Sequence, residues 1–469
     1  MLLTILASSN RSALNTSSDV FNYLNPFLHW ISTAQGIVCL ALGAGVAYYG
    51  LYGRRGVHLL LFLASLTGMV GFFVSKYHNN TLIPALEAFR NLCRPIYVLM
   101  VGLLTVRLII HYNTLRWTAA RASAMAFMAL QFAFSLRLIL VAPERSFGTI
   151  VLDLMLLYGV WELLRRSITS GRDVIEYIMV LLGAGAAFYL LCIVQLTLGD
   201  LHHIVFTGRF CGIAQNPQFT GETTAILIIC ANFVVISGYS ARWQKIFALC
   251  CACGMLPFML WTGSRTSMGI CAVGLLILYR VSIRRWAVFA VVGAVAYELY
   301  TQYFHRGARA VEHLVSTNND RYAEWAKGLA VFSAHPILGQ AAAQTLVECS
   351  FIVIVAALGS VGIVLLVTLI AAVAREIIHV FRYRDVLDPE LRKMAEFACA
   401  ITIAQAAGMT FDAYLVAAAT TQAIISWMSL SLLAVAWDAV EARRHGFVPA
   451  AVAPANPTVD GNAVLPSTS

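Results

Sequence analysis

Apolar runs follow one another along almost the whole chain, at about 27–50, 57–75, 95–111, 122–141, 147–164, 174–198, 220–240, 245–262, 266–280, 285–302, 347–374, 394–413 and 420–440. Most are near the ~20 residues an α-helix needs to cross the hydrocarbon of a bilayer, so the pattern predicts about 12–13 transmembrane helices. Two connections stand out by length, 199–219 and 303–346. In the second, residues 320–334 place Tyr322, Trp325, Leu329 and Phe332 along one side of a helix, with Asn318 or Asn319 as its cap and His335–Pro336 after its end. That spacing predicts an amphipathic helix lying at the membrane surface rather than a loose linker. From Phe447 to Ser469 the chain becomes rich in Pro, Ala, Asn and Ser with no apolar period, the composition of a disordered tail. The expected organisation is one integral membrane domain over 1–446 and a tail over 447–469.

Composition narrows the solvent. The chain of 469 residues is 60% hydrophobic and 12% charged, with a mean hydropathy of +0.77. Soluble proteins carry about 25% charged residues, so only a bilayer suits this one, and the fold class is an all-α, polytopic membrane helix bundle. The opening MLLTILASSNRSALNTSS has no basic start, and its apolar run is too short for a signal peptide. The cysteines lie mostly inside apolar runs, where a thiol acts as a small hydrophobe. Even "CCAC" (Cys250, Cys251, Cys253) has no neighbouring His or acid and reads as helix packing, not as a metal site. No metal, cofactor or nucleic acid is expected.

Charge orients the bundle. Alternate connections hold Arg54/Arg55, Arg116/Arg121, Arg165/Arg166/Arg172, Arg242/Lys245, Arg280/Arg284/Arg285, Arg375/Arg382/Arg384/Arg392/Lys393 and Arg443/Arg444. The positive-inside rule makes these the cytoplasmic face, with the N-terminus outside and the C-terminus inside. Arg209, Arg265 and Arg321 then fall on the outer face and need another explanation. Arg265 sits in "LWTGSRTSMGI", in a very short hairpin between two spans; it either anchors a helix end at the headgroups or binds a ligand. Arg209 is the only formal cation of "GDLHHIVFTGRFCGIAQNPQFTGE", where Gly208, Gly212 and Gly221 suit tight turns and Asn216–Pro217 a turn start. His202 and His203 have no acid at metal-ligand spacing and read as surface residues. Arg107 and Arg137 lie within spans, where a charge needs a partner, an aqueous cavity or a path to the interface. Outer arginines beside aromatic and Gly/Asn-Pro loops suit a diphosphate at the lipid–water boundary. Guanidinium binds phosphate oxygens bidentately and neutralises a departing diphosphate without a metal.

The "TGSR" between two spans, the outer "GR…NP" loop, and "R…W…HP..G" followed by "ECSFIVIVAALGSVG" resemble the O-antigen ligase and Wzy-type polymerase superfamily over about residues 200–375. The resemblance implies a helical membrane bundle with a large periplasmic loop, here 303–346, over an active cleft. It implies metal-free transfer of glycan from undecaprenyl diphosphate to a second glycan, in the bacterial inner membrane. It carries diphosphate-binding roles onto Arg209, Arg265 and Arg321. Many members begin the span after the large loop with a His-Asn pair whose His is the proposed base; the matching positions here are Glu348 and Cys349. That departure resembles members that build exopolysaccharide.

A carboxylate at the membrane edge with a raised pKa suits a general base, which makes Glu348 the first candidate and His335 the second. A helix N-terminal carboxylate favoured by the dipole is the competing reading of Glu348. Three functions compete. The first is an inverting polymerase of undecaprenyl-diphosphate-linked repeat units, working beside polysaccharide export and chain-length proteins. The second is a ligase that moves glycan onto lipid A–core. The third is a transporter or flippase of lipid-linked oligosaccharide, which would bring internal repeats and broken helices.

Overall fold

The computed structural model describes residues 34–53, 55–71, 82–112, 122–199, 204–206, 208–279, 321–341, 349–410, 415 and 419–445. The expected span 285–302, the residues His202, His203, Asn318, Asn319 and Glu348, and the tail 447–469 lie outside them. The protein is an all-helical, multi-pass membrane bundle. Its helices are α1 (Ala34–Tyr52), α2 (Gly56–Val70), α3 (Pro84–His111), α4 (Ala122–Leu138) and α5 (Pro143–Leu156), the last continuing through a π-helical turn, Leu157–Glu162, into α6 (Leu163–Ser167). Then come α7 (Gly171–Leu198), a hairpin of β1 (Val205–Phe206) and β2 (Arg209–Phe210), α8 (Pro217–Ile236), α9 (Arg242–Trp261) and α10 (Arg265–Tyr279). The remainder is α11 (Arg321–Ala334), α12 (Ser350–Tyr383), α13 (Pro389–Met409) and α14 (Thr421–Arg444). Among the described residues, seven helical segments are long and apolar enough to cross a membrane, and α2, α4 and α10 are shorter apolar helices.

Two element boundaries differ from the hydropathy pattern for a physical reason. The run at 95–111 is the second half of α3, which starts at Pro84 and carries Pro95 within it. The added turns hold Glu87, Arg90 and Arg94, which depress hydropathy, while Leu86, Cys93 and Tyr97 keep one buried face at helical spacing. The run at 57–75 ends as helix at Val70, where the Gly71 N–H returns to the Thr67 carbonyl at 2.8 Å and Arg94 Nε donates to the Gly71 carbonyl at 3.0 Å.

Polar side chains decide which helices are central. The spanning window of α8 is 89% buried and that of α14 is 78% buried, against 22% for α9. Lipid tails and protein interior are equally apolar, so helix association in a bilayer relies on close packing and interhelical hydrogen bonds. Here Gln422 of α14 donates to Thr223 of α8 at 3.0 Å, and Ser426 donates to Gln405 of α13 at 3.3 Å. Tyr279 of α10 donates to Asn232 of α8 at 2.8 Å, and Phe233 stacks on Phe397 with centroids 4.2 Å apart.

The two sets of connections assort to opposite ends. At one end Arg165 and Arg166 hold the buried Glu162, Arg165 approaches Asp438 at 3.6 Å, and Glu390 accepts from the Gly238 N–H at 2.8 Å. His379–Glu441 and Arg443–Asp388 pairs join α12, α13 and α14 there. At the other end Gln195, late in α7, accepts from the Ile83 N–H at 3.0 Å before α3, beside the 204–216 loop. Arg107 belongs to the basic end and its partner is main chain. Its Nη1 donates to the Gly50 carbonyl at 2.6 Å and the Leu51 carbonyl at 2.9 Å, so it caps the C-terminus of α1. Arg107→Ala should lower stability by about 1–3 kcal/mol, the usual range for charge-assisted bonds, since the Gly50 carbonyl loses this donor while the Leu51 carbonyl keeps His111 Nε2 at 2.8 Å. A thermal unfolding midpoint in detergent equal to that of the unaltered protein would show instead that water caps α1 equally well.

Candidate functional site

The non-basic end is built around the 204–216 loop. β1 and β2 pair antiparallel, Val205 opposite Phe210 and Phe206 opposite Arg209, with Gly208 at φ 80°. Phe210 is fully buried and stacks on Trp261 at 5.3 Å, with Phe258 at 4.9 Å, so the hairpin is anchored by an aromatic cluster of about 0.5–1.5 kcal/mol per pair beyond burial. Trp261 Nε1 donates to the Gly208 carbonyl at 3.2 Å, and Arg209 Nε donates to the Thr262 carbonyl at 2.7 Å. The hairpin is thereby joined to the Thr262–Ser264 turn before α10.

Both helix starts at this place are well capped. Asn216 is the N-cap of α8, its Oδ1 accepting from the Gln218 and Phe219 N–H groups at 2.8 and 3.0 Å, with Pro217 at the first position. Asn216–Pro217 therefore starts a helix, not a turn. Ser264 Oγ accepts from the Ser267 N–H at 3.2 Å and caps α10, which puts the exposed Arg265 at the first helical position rather than in the hairpin itself. Gly208 and Gly212 do occupy left-handed positions. Gly221 does not make a turn: it lies in α8, where a Cβ would come within 2.7 Å of Thr262 Oγ1 and closer still to Ser267 Oγ. Its missing side chain lets the N-termini of α8 and α10 meet.

The result is a concentration of positive potential. Two helix N-termini, Arg209 and Arg265 gather around one turn. Arg90 of α3 lies within electrostatic reach of Arg94 and of Cys211 in the same loop. Arg90 and Arg94 were hidden from hydropathy because they precede the apolar run, although their i,i+4 spacing with Glu87 before them is a helical signature. A cation at a helix N-terminus opposes the dipole unless an anion joins it. A guanidinium fork beside a helix N-terminus favours an anion such as phosphate.

Arg321 opens α11, and its side chain lies outside the described residues; α11 packs along α12. The amphipathic helix is present over Arg321–Ala334, but its aromatic stripe is split. Trp325 and Phe332 are half-buried, whereas Tyr322 and Leu329 are 67% and 51% exposed. His335 follows as expected and is exposed.

Beyond His335 the chain repairs a broken helix. Gly359 sits inside α12 at φ 63°, ψ −141°, which removes the helical bond between the Ser360 N–H and the Ala356 carbonyl. The loop replaces both partners: the Gln340 N–H donates to the Ala356 carbonyl at 2.8 Å and the Ser360 N–H donates to the Pro336 carbonyl at 2.8 Å. Ser360 Oγ adds a bond to the Pro336 carbonyl at 2.7 Å. Arg137 Nη2 donates to the Gly339 carbonyl at 2.9 Å, so this intramembrane arginine also serves main chain, tying α4 to the loop. Cys250 and Cys253 are exposed and Cys251 is buried on α9. No protein-family model matches the chain, and no curated protein matches it either.

Proposed function

We propose that the protein is an inverting membrane glycosyltransferase that polymerises oligosaccharide repeat units carried on undecaprenyl diphosphate. The observation that carries this reading is the locked unit of Arg209, the Thr262–Ser264 turn and Arg265 at the meeting of two helix N-termini. It offers fixed donors where a diphosphate would sit and where its charge would grow as it leaves. The acceptor hydroxyl gives its proton to a base and attacks the anomeric carbon. The carbon–oxygen bond to the diphosphate breaks on the opposite face, and the leaving group keeps the electron pair. Arg209 and Arg265 hold that group, with Arg321 as the third cation. The end that bears them faces the periplasm of a bacterial inner membrane, and the arginine-rich end faces the cytoplasm.

Glu348 precedes Cys349, the N-cap of α12, and is the base in this reading. His335 follows α11, and its carbonyl accepts the Gly339 N–H at 2.9 Å within the loop that mends α12, which fits a structural role. Glu348→Gln keeps shape but cannot take a proton at neutral pH, so transfer should fall by about 10²–10⁴-fold with donor binding retained. His335→Ala should be milder in the same purified assay. A dead His335 variant beside an active Glu348 variant would move the base to His335. The break at Gly359 is the feature a transporter would display, but this chain's own loop fills it.

A further inference from the structure

We infer that Asp153, Gln131, Ser135 and Ser146 form a monovalent metal-cation site, of sodium type, buried between α4 and α5. The four are placed by helical spacing: Gln131 and Ser135 are one turn apart on α4, and Ser146 and Asp153 are two turns apart on α5. All are at most 3% exposed. Asp153 Oδ2 accepts from Ser135 Oγ at 3.4 Å, and Ser146 Oγ donates to the Ser135 carbonyl.

Apart from Ser135, two donors near this point are committed elsewhere. Gln131 Nε2 donates to the Leu415 carbonyl at 3.3 Å, and Tyr97, within electrostatic reach of Asp153, donates to the Thr420 carbonyl at 3.1 Å. Asp153 Oδ1 and Gln131 Oε1 are left buried with no hydrogen-bond partner among the described residues. No ion pair there reaches Asp153 either. Arg137, two residues beyond Ser135, projects from the other side of α4 to the Gly339 carbonyl. A lone carboxylate inside a membrane bundle must be ligated, paired or protonated. The surplus here is of oxygens from two helices: a carboxylate, an amide oxygen and two hydroxyls whose protons are already committed. Hard oxygen donors of this kind suit an alkali or alkaline-earth ion. One negative charge matches a single positive one, whereas a divalent ion would leave net charge buried. The π-helical turn that begins four residues after Asp153 breaks the regular ladder of the same rod, a placement common at functional sites.

The inference is independent of glycan transfer, and its test reads stability. The full chain, purified in detergent, is unfolded by heat in NaCl, KCl or choline chloride at equal ionic strength and constant pH. The expected result is a saturable rise of about 3 °C or more in NaCl over choline chloride, since a ligand that binds only the folded state raises the midpoint by mass action. Asp153→Asn should abolish the rise, and Gln131→Leu, which keeps the packing volume, should demand roughly tenfold more sodium for the same rise. Equal midpoints in all three salts would overturn the site. So would an undiminished sodium response in both variants.

Discussion

Arg265→Lys is expected to lower transfer from a lipid-diphosphate donor by about 10²–10³-fold, the usual loss when one preorganised donor to a developing negative charge is removed. Lysine keeps the charge but loses the planar fork that reaches two phosphate oxygens at once. The substitution should leave folding intact, because Arg265 is exposed and the cap of α10 is made by Ser264, not by the arginine. The kinetic pattern separates the roles. If Arg265 neutralises the leaving diphosphate, kcat falls with little change in KM; if it only anchors a helix end, Arg265→Lys is near normal in both. Turnover measured with purified variant in defined lipid decides between them.

Gly359→Ala should be the most damaging single change to the fold. Gly359 and Gly339 both have positive φ, 63° and 62°, and Gly359 combines it with ψ −141°, a region kept almost entirely to glycine that costs an L-residue about 1–3 kcal/mol. A Cβ on Gly359 would lie 2.6 Å from Gly339 N and from the Ile337 carbonyl group, which is main chain and cannot rotate aside. Separating the loop from α12 would strand the carbonyl of the buried Ala356, worth about 1–3 kcal/mol when left unpaired, and would release the exposed Ser360 N–H from its partner. Backbone strain, the main-chain clash and the stranded carbonyl together take a large share of a domain's marginal stability, so the variant should unfold at a much lower temperature or fail to accumulate. Gly254→Ala is the matched control, since a Cβ there meets nothing within 4 Å. Equal midpoints for Gly359→Ala and Gly254→Ala would mean that the loop does not hold the break.

Much of this architecture is legible in the chain. Hydropathy counts the burial of a whole helix in hydrocarbon, so runs such as 174–198 and 420–440 match α7 and α14 closely. It fails where a helix carries charges past the apolar run, as α3 does through Arg90 and Arg94. It is also silent on which helix is central. The run 220–240 reads no differently from 245–262, yet α8 is enclosed and α9 is peripheral. The difference lies in Thr223, Asn232 and their partners on other helices, pairings that a one-dimensional pattern does not specify. Arg107 and Arg137 could be recognised in sequence as needing partners. The partners are carbonyls at Gly50, Leu51 and Gly339, groups every residue owns and no motif marks. Gly359 inside "AALGSVG" likewise gives no sign of a break, because glycine is common in membrane helices.

The proposed chemistry is tested most directly by supplying the purified, reconstituted protein with undecaprenyl-diphosphate-linked repeat units and no nucleotide sugar, then resolving the products by length. The account predicts a ladder of glycans two repeats and longer, with one undecaprenyl diphosphate released for each bond formed, and loss of the ladder in the Arg265→Lys protein. Donor that remains as single repeats while the unaltered, folded protein carries it from one leaflet to the other would contradict the account and make the protein a transporter.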